Sequence, residues 1–476
     1  MNSKTRPEPF FLNPDRYFSP EPTIRSIARE LYNETKDLPI ISPHGHTDPR
    51  WFAENKPFSD PANLLITPDH YVFRMLYSQG IALERLGIPR LDGGPVEEDP
   101  RQIWQLFAQH YYLFAGTPVG AWFDHVFTEV FGIHDHLTTQ TSKTFFEIID
   151  AALKTPEFLP RNIADRFKIE VISTTDDATH TLAHHQVILD SDWDGKVIPT
   201  FRPDGVTNII HPDWRSNIKA LGELVGAELS TYSAFVNALQ QRREFFKSMG
   251  ATATDHGVAT PLTLELSPLK AEAIYSKALN KNITADDTIR FSGHMLMEMA
   301  RMSIEDGLVM QIHPGSFRNH NETVFKHFGG DRGADIPIQT EYTRNLHAIL
   351  NRYGNDHRLK LIAFTLDETN YARELAPLAG HYPALKLGPA WWFNDSIEGM
   401  TRFRELTTET ASIYNTVGFN DDTRALLSIP ARHDLSRRVD ANYLAGLVAT
   451  HRIEMNTARE MSRSLAYDLV KSAYNL

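Results

Sequence analysis

At residues 37–48 the chain reads DLPIISPHGHTD, an apolar, strand-like run that ends in a His-X-His pair. Residues i and i+2 of an extended chain project to the same face, so His44 and His46 can both reach one point just beyond the strand. Two neutral imidazole nitrogens that converge in this way form a good site for a divalent metal ion. The spacing alone is equally consistent with strand-end histidines that bond to nearby backbone.

Seven further segments share the character of this first strand. Each is short, rich in β-branched and apolar residues, and followed by a polar or glycine-containing loop. Together they predict eight strands, at residues 39–46, 169–176, 196–202, 251–256, 308–313, 360–367, 385–393 and 414–422. Helical patterns lie between most of them, and strands that alternate with helices indicate a parallel sheet. The pattern fits an α/β fold of the (β/α)8 TIM-type barrel class, although a doubly wound sheet has the same periodicity.

The spacing of the predicted strands is uneven. About 120 residues separate the first two, far more than one crossover helix requires. The intervening patterns are mostly helical and rich in aromatic residues, which predicts a helical insertion, residues 49–168, over one side of the barrel mouth. Because no flexible linker or internal repeat is present, we expect one catalytic unit over residues 1–476.

Composition narrows the functional classes. The chain has 476 residues, of which 41% are hydrophobic, enough to bury a large core. A formal charge of -12 argues against a general nucleic-acid or anionic-membrane surface, and the lack of cysteine excludes disulfides and thiolate chemistry. The polar, proline-rich start and the lack of a bilayer-length apolar run favour a cytoplasmic protein without a membrane partner. No glycine-rich nucleotide motif occurs, so no nucleotide cofactor is expected.

In a barrel enzyme the active site lies at the carboxyl ends of the strands. Those ends concentrate histidine, carboxylate and arginine side chains: His44 and His46, Asp176 and Asp177, Arg202, Asp255 and His256, His313, Asp367, the run from Trp391 to Asp395, and Asp422 with Arg424. A metal could be held there by the two histidines of strand 1, the histidine of strand 5 and the aspartate of strand 8. Taken singly, Asp422 with Arg424 is typical of a loop ion pair, and Trp391 is typical of packing.

Several of these positions belong to longer motifs that occur in a fixed order. The motifs are His44-Gly45-His46, Asp69-His70-Tyr71 with Arg74, Thr174-Thr175-Asp176-Asp177, Arg202-Pro203-Asp204, Thr254-Asp255-His256, His313 followed by Arg318-Asn319, Trp391-Trp392-Phe393-Asn394-Asp395, and Asp422-Thr423-Arg424 followed by Arg432-His433. In this set the chain resembles the uronate isomerase (glucuronate isomerase) family of the amidohydrolase superfamily. The resemblance runs from about Phe10 to the C-terminus, and the Trp-Trp-Phe-Asn-Asp string is its most specific part.

The resemblance implies a barrel that binds one divalent ion, usually zinc, through His44, His46 and Asp422. It implies an isomerase that interconverts D-glucuronate with D-fructuronate and D-galacturonate with D-tagaturonate, moving a proton from C2 to C1 through a cis-enediol. Asp422 would start removal of the C2 proton, while Tyr71 and Arg424 bond the C1 and C2 oxygens. The implied substrate-binding residues are His70, Arg202, Asp255, His313 and Trp391, with His313 also a candidate metal ligand. A homo-oligomer is a further expectation from the family.

Two other functional classes stay open at this point. A metal-dependent hydrolase or decarboxylase acting on a small sugar acid would need an activated water and room for a scissile bond. Such an enzyme would depend less on Tyr71 and Arg424. A non-catalytic sugar-acid binding protein would not require a base such as Asp422.

Overall fold

The computed structural model of the protein describes residues 9–476 and centres on one sheet of seven parallel strands. The strands are β1 (Ile40–Ser42), β2 (Ile169–Asp177), β3 (Lys196–Arg202), β4 (Ala253–His256), β5 (Val309–Ile312), β6 (Leu361–Ala363) and β7 (Leu385–Leu387). They stand side by side in chain order, with helices between them, which confirms the predicted α/β fold of TIM type. The first eight residues of the predicted unit 1–476 lie outside the described residues.

The last predicted strand, residues 414–422, is not a regular strand. It forms one parallel bridge, between Leu387 of β7 and Thr416. On its other side, the backbone N–H of His46 donates to the carbonyl of Thr423 at 3.0 Å. The segment therefore spans the gap between β7 and the end of β1 through single hydrogen bonds instead of a ladder.

Backbone conformation explains why this segment is irregular. Gly418 and Asp422 have positive φ angles, of 77° and 41°. A regular strand needs φ well below zero, so each of these residues interrupts the ladder. The prediction of an eighth strand is wrong in this respect, although the segment occupies the expected place in the barrel.

The sheet is buried on both faces. Successive residues of a strand face opposite sides, so Ile40 and Ile41 belong to different apolar clusters. The inner cluster takes one residue from each of several strands, including Ile41, Val171, Ala253, Val309 and Ile362. The outer cluster continues into the surrounding helices. Burial on both faces explains why the strands read as continuous apolar runs without alternation.

Helices surround this sheet and fill the long connection after β1. The α-helices between β1 and β2 are Pro49–Glu54, Pro61–Leu65, His70–Tyr77, Pro100–Gln109, Pro118–His125, Ser142–Leu153 and Pro160–Arg166. The others are Pro22–Thr35, Ala183–Leu189, Asp204–Thr207, Trp214–Val225, Tyr232–Ser248, Pro268–Leu279, Ala285–Asp306, Glu322–Phe328, His347–Tyr353, Ala376–Ala379, Ile397–Ala411, Ile429–Ala449, Met455–Arg463 and Leu469–Tyr474. Within residues 9–476, no helix combines the length and apolar character that a bilayer crossing needs.

Aspartate caps fix where the first helices of the insertion begin. Asp48 and Asp60 each cap a helix whose first residue is proline, a position that proline favours because its missing N–H needs no partner there. Asp69 caps the next helix, and its carboxylate accepts a hydrogen bond from the backbone N–H of Tyr71 at 2.8 Å. His70 and Tyr71 are therefore held in the first turn of a helix.

A second excursion follows β5. The short strands Ser316–Phe317 and Ile336–Pro337 pair antiparallel, with the helix Glu322–Phe328 between them. The returning part of this excursion brings Asp331 to the rim of the cavity at the mouth of the barrel.

Candidate active site

A cavity of about 730 Å³ opens at the carboxyl ends of the strands. All ten residues named as site residues from the sequence line it: His44, His46, His70, Tyr71, Arg202, Asp255, His313, Trp391, Asp422 and Arg424. They come from five strand ends, the helical insertion and the irregular eighth segment. The fold thus brings together side chains that lie almost 400 residues apart in the chain.

Three of these side chains form a compact group of nitrogen and oxygen donors. Asp422 Oδ1 lies 3.5 Å from Nε2 of His44 and 3.2 Å from Nε2 of His46. The two imidazole rings are nearly perpendicular, with centroids 5.6 Å apart. The positive φ of Asp422 directs this carboxylate from the eighth segment toward the histidines of the first.

The chemistry of this donor set fits a divalent metal ion. Asp422 Oδ1 is buried without a hydrogen-bond partner. Burial lowers the pKa of His44 to about 4, so its imidazole is neutral at pH 7, the form that ligates metals. Burial alone would raise the pKa of Asp422, but His44 and His46 hold it below the usual range of a carboxyl group. A carboxylate and two imidazoles, whose donor atoms lie within 4.8 Å of one another, are suited to a divalent metal ion.

A second group extends the site along β3, β4 and β5. His313 Nδ1 lies 2.6 Å from Oδ1 of Asp255, and Arg202 Nη1 lies 3.3 Å from Oδ2 of the same carboxylate. Asp255 is fully buried; burial raises its pKa, but Arg202 and His313 bring it well below the usual value. Because Nδ1 of His313 bonds to a carboxylate, its Nε2 is left as an acceptor, and this atom is buried without a partner. The unpartnered Nε2 makes His313 a candidate metal ligand or substrate contact.

The insertion contributes a histidine and a tyrosine to the lining of the cavity. The rings of His70 and Tyr71 stack with centroids 4.6 Å apart. Burial raises the pKa of Tyr71, so its phenol is neutral and can donate a hydrogen bond. Burial also lowers the pKa of His70 to about 3, and its Nε2 has no protein partner.

Trp391 lines the cavity and also bonds to Asp422. Its indole Nε1 donates a hydrogen bond to Asp422 Oδ2 at 2.6 Å. This bond leaves the other carboxylate oxygen directed at the two histidines. Trp391 therefore orients the carboxylate, a role that its sequence context did not reveal.

Comparisons with known proteins show the family of the chain. The family model described as glucuronate isomerase matches residues 23–474. The chain belongs to the glucuronate isomerase family. A uronate isomerase of Phenylobacterium zucineum is 54% identical over 468 residues, which cover 98% of this chain and 97% of that protein.

Solved structures of the family have the same fold. Glucuronate isomerase from Caulobacter crescentus is 51% identical, with a TM-score of 0.97 over 98% of this chain and 97% of that chain. Uronate isomerase from Thermotoga maritima is 30% identical, with a TM-score of 0.91 over 98% and 100% of the two chains. The fold of this chain is therefore that of the family.

In this member of the glucuronate isomerase family, Arg424 has an acidic partner that the sequence did not indicate. Arg424 Nη2 donates to Asp331 Oδ2 at 3.0 Å. Burial raises the pKa of Asp331, but Arg424 and Arg318 lower it to about 2, so the pair is charged at pH 7. Asp331 lies in the sequence FGGDRGAD at residues 328–335, which has no strand or helix periodicity. Only the flanking glycines mark it as part of an unusual loop.

Proposed function

We propose that the protein is a uronate isomerase that interconverts D-glucuronate with D-fructuronate and D-galacturonate with D-tagaturonate. Family membership across almost the whole chain supports the reaction class. The observation that carries the assignment of residues is the ionised, oriented carboxylate of Asp422, which faces a cavity also lined by Tyr71 and Arg424. An aldose–ketose conversion needs a base and groups that bind two adjacent oxygens.

We propose zinc as the metal ion, with His44, His46 and Asp422 as the residues that would hold it. Imidazole and carboxylate donors suit zinc, and the chain has no cysteine to compete for it. A bound ion would supply Lewis-acid polarisation and a template for the sugar acid. His313, whose ring stacks on that of His44 with centroids 4.6 Å apart, would be a candidate further ligand.

In the proposed mechanism, Asp422 removes the C2 proton, because it is an ionised carboxylate that lines the cavity together with Tyr71 and Arg424. Tyr71 donates a hydrogen bond to an oxygen of the cis-enediol, since its phenol is neutral. Arg424 stabilises the negative charge that develops on the C1 and C2 oxygens. The O2 proton then passes to O1 with Tyr71 and Arg424 bonded to the two oxygens, and Asp422 returns its proton to C1, which gives the ketose with no net redox change.

The remaining residues would bind the substrate. Arg202 and His70 are proposed to hold the carboxylate or hydroxyl groups of the sugar acid, and His313 would accept a hydrogen bond from a hydroxyl. Asp255 would keep both Arg202 and His313 in place, and Trp391 would orient Asp422.

We further propose that residues 1–476 act as one catalytic unit, in which the insertion 49–168 is a subdomain that supplies one wall of the site. His70 and Tyr71 come from this helical segment and line the same cavity as the strand-end residues, which supports a joint role. Assembly into a homo-oligomer, the cytoplasmic location and the absence of nucleic-acid partners stay predictions from the sequence.

The reaction is tested by incubating the metal-loaded protein with D-glucuronate or D-galacturonate and following the sugars by NMR. We expect the corresponding ketose to accumulate to an equilibrium mixture. Release of carbon dioxide would favour the decarboxylase alternative, and unchanged sugars would refute the isomerase. A binding protein would give ligand-induced shifts without any product.

A further inference from the structure

One buried arginine lies where the barrel, the eighth segment and the helical insertion meet. Arg432 belongs to the helix Ile429–Ala449 and is 1% exposed. The proposed mechanism assigns it no role, yet a buried guanidinium needs several partners to offset its loss of hydration.

On the barrel side, Arg432 bonds to the segment that carries the proposed base. Its Nη1 donates to Asp395 Oδ2 at 2.6 Å and to the carbonyl oxygen of Asp421 at 3.1 Å. Its Nε donates to Ser428 Oγ at 3.3 Å. The carbonyl of Asp421 belongs to the peptide that joins it to Asp422, so this bond holds the backbone at the start of the residue with positive φ.

On the insertion side, the same guanidinium packs against two aromatic rings. Its central carbon lies 3.5 Å from the ring centroid of Trp122 and 5.1 Å from that of Tyr71. The two rings are themselves nearly perpendicular, with centroids 5.6 Å apart. Cation–π attraction therefore links Arg432 to Trp122 and to the proposed catalytic tyrosine.

We propose that Arg432 is a positioning residue that sets the relative placement of Asp422 and Tyr71 across the boundary between barrel and insertion. This inference rests on the proposed function, because it assumes that these two groups act on one substrate. A single rigid group that contacts both supports fixes their separation more closely than the long chain connection after β1 could alone. Small misplacements of reacting groups are costly in rate.

The test compares two arginine-to-lysine substitutions at matched sites. Arg432→Lys keeps the charge near Asp395, but one ammonium group cannot reproduce the planar fork or the stacking on Trp122. Arg243→Lys is the control: Arg243 is also 1% exposed, bonds to Asp306 and Ser303, and lies 5.9 Å from a phenylalanine ring. Arg243 does not line the cavity.

We expect Arg432→Lys to lower kcat for D-glucuronate by roughly 10- to 100-fold, with KM within about threefold and unchanged bound metal by elemental analysis. Arg243→Lys is expected to keep kcat within about twofold, even if its melting temperature falls by as much as that of Arg432→Lys. Crystal structures should show Tyr71 or the Asp421–Asp422 peptide displaced only in Arg432→Lys.

If kcat of Arg432→Lys stays within about twofold of the unmodified protein, or both variants lose kcat in proportion to stability, the positioning role is wrong. If Arg432→Lys does not fold, Trp122→Leu takes its place. Trp122 makes no hydrogen bond through its indole nitrogen, so this change removes the stacking surface without leaving a charge unpaired. An unmodified protein that converts neither uronate would refute the proposed function, while the crystallographic comparison would still decide the positioning claim.

Discussion

Substituting Trp391 by phenylalanine tests how much the orientation of Asp422 matters. The indole donates to Asp422 Oδ2 at 2.6 Å, and phenylalanine cannot. It keeps an aromatic ring, so contacts with His313 and Phe364, at 4.8 and 6.1 Å between centroids, are largely preserved. The change therefore removes one hydrogen bond and little packing.

The expected size of the effect follows from the type of bond. A hydrogen bond to a charged group contributes about 1.5–3 kcal/mol. Since about 1.4 kcal/mol corresponds to a tenfold change in rate, Trp391→Phe should lower kcat/KM by about 10- to 150-fold. This range agrees with the roughly 10- to 100-fold losses that follow when a partner of a metal-ligating side chain is removed.

Steady-state kinetics with D-glucuronate at saturating metal measures this effect, and the neighbouring tryptophan supplies the control. The indole nitrogen of Trp392 is buried without a hydrogen-bond partner, so Trp392→Phe removes the same N–H without breaking a bond. We expect Trp392→Phe to stay within about threefold of the unmodified protein. Equal losses in both variants, or no loss in Trp391→Phe, would refute the reasoning.

Four other outcomes are expected. Removing the metal with a chelator should abolish turnover, and adding zinc should restore it. Tyr71→Phe should lower kcat about 100-fold with little change in KM, as steady-state kinetics would show. Arg202→Met should lower the free energy of unfolding in urea by about 3 kcal/mol, because it leaves the buried carboxylate of Asp255 without its cation. Finally, the pKa of His70 falls from 6.5 in the unfolded chain to about 3, so the unfolded state binds more protons below pH 6.5. The free energy of unfolding should therefore decrease as pH falls toward 3. In urea unfolding, the decrease between pH 7 and pH 5 should be smaller by about 1–2 kcal/mol in His70→Gln than in the unmodified protein.

Each of these expectations has a clear contrary result. Full activity after chelation would exclude an essential metal, and Tyr71→Phe within about threefold of the unmodified kcat would exclude the tyrosine as a catalytic group. A loss below about 1 kcal/mol in Arg202→Met would mean that the hydrogen bond with His313 is enough to stabilise the buried carboxylate of Asp255. An unchanged pH dependence in His70→Gln would mean that this imidazole titrates normally in the folded protein.

The strands were predictable because their apolar runs are short and end in polar residues. A parallel sheet that is buried on both faces leaves this signature at each strand, and the first seven segments confirm it. The segment 414–422 (YNTVGFNDD) is more polar than the other strands, and positive φ angles at Gly418 and Asp422 interrupt its ladder. The apolar pattern of the sequence could not show that Asp422 adopts a positive φ angle, with its carboxylate near His44 and His46.

The residues of the site were predictable as a group, and their partners were not. Reading strand ends and family motifs located the cavity, because the barrel brings all carboxyl ends to one side. The pairing of Asp331 with Arg424 could not be predicted, because Asp331 lies in an irregular loop where no periodicity relates the two residues. The bond from Trp391 to Asp422 depends on side-chain orientation, which a sequence pattern does not encode.

The most direct test of the central claim, that Asp422 removes the C2 proton of a uronate, follows the fate of a label at C2. D-Glucuronate deuterated at C2 is incubated with the metal-loaded protein or with Asp422→Asn, and NMR records the ketose and the position of the deuterium. We expect the unmodified protein to form the ketose with the label transferred to C1 or released to water, and Asp422→Asn to form none. Ketose formation by Asp422→Asn at a rate within about tenfold of the unmodified protein would contradict the account.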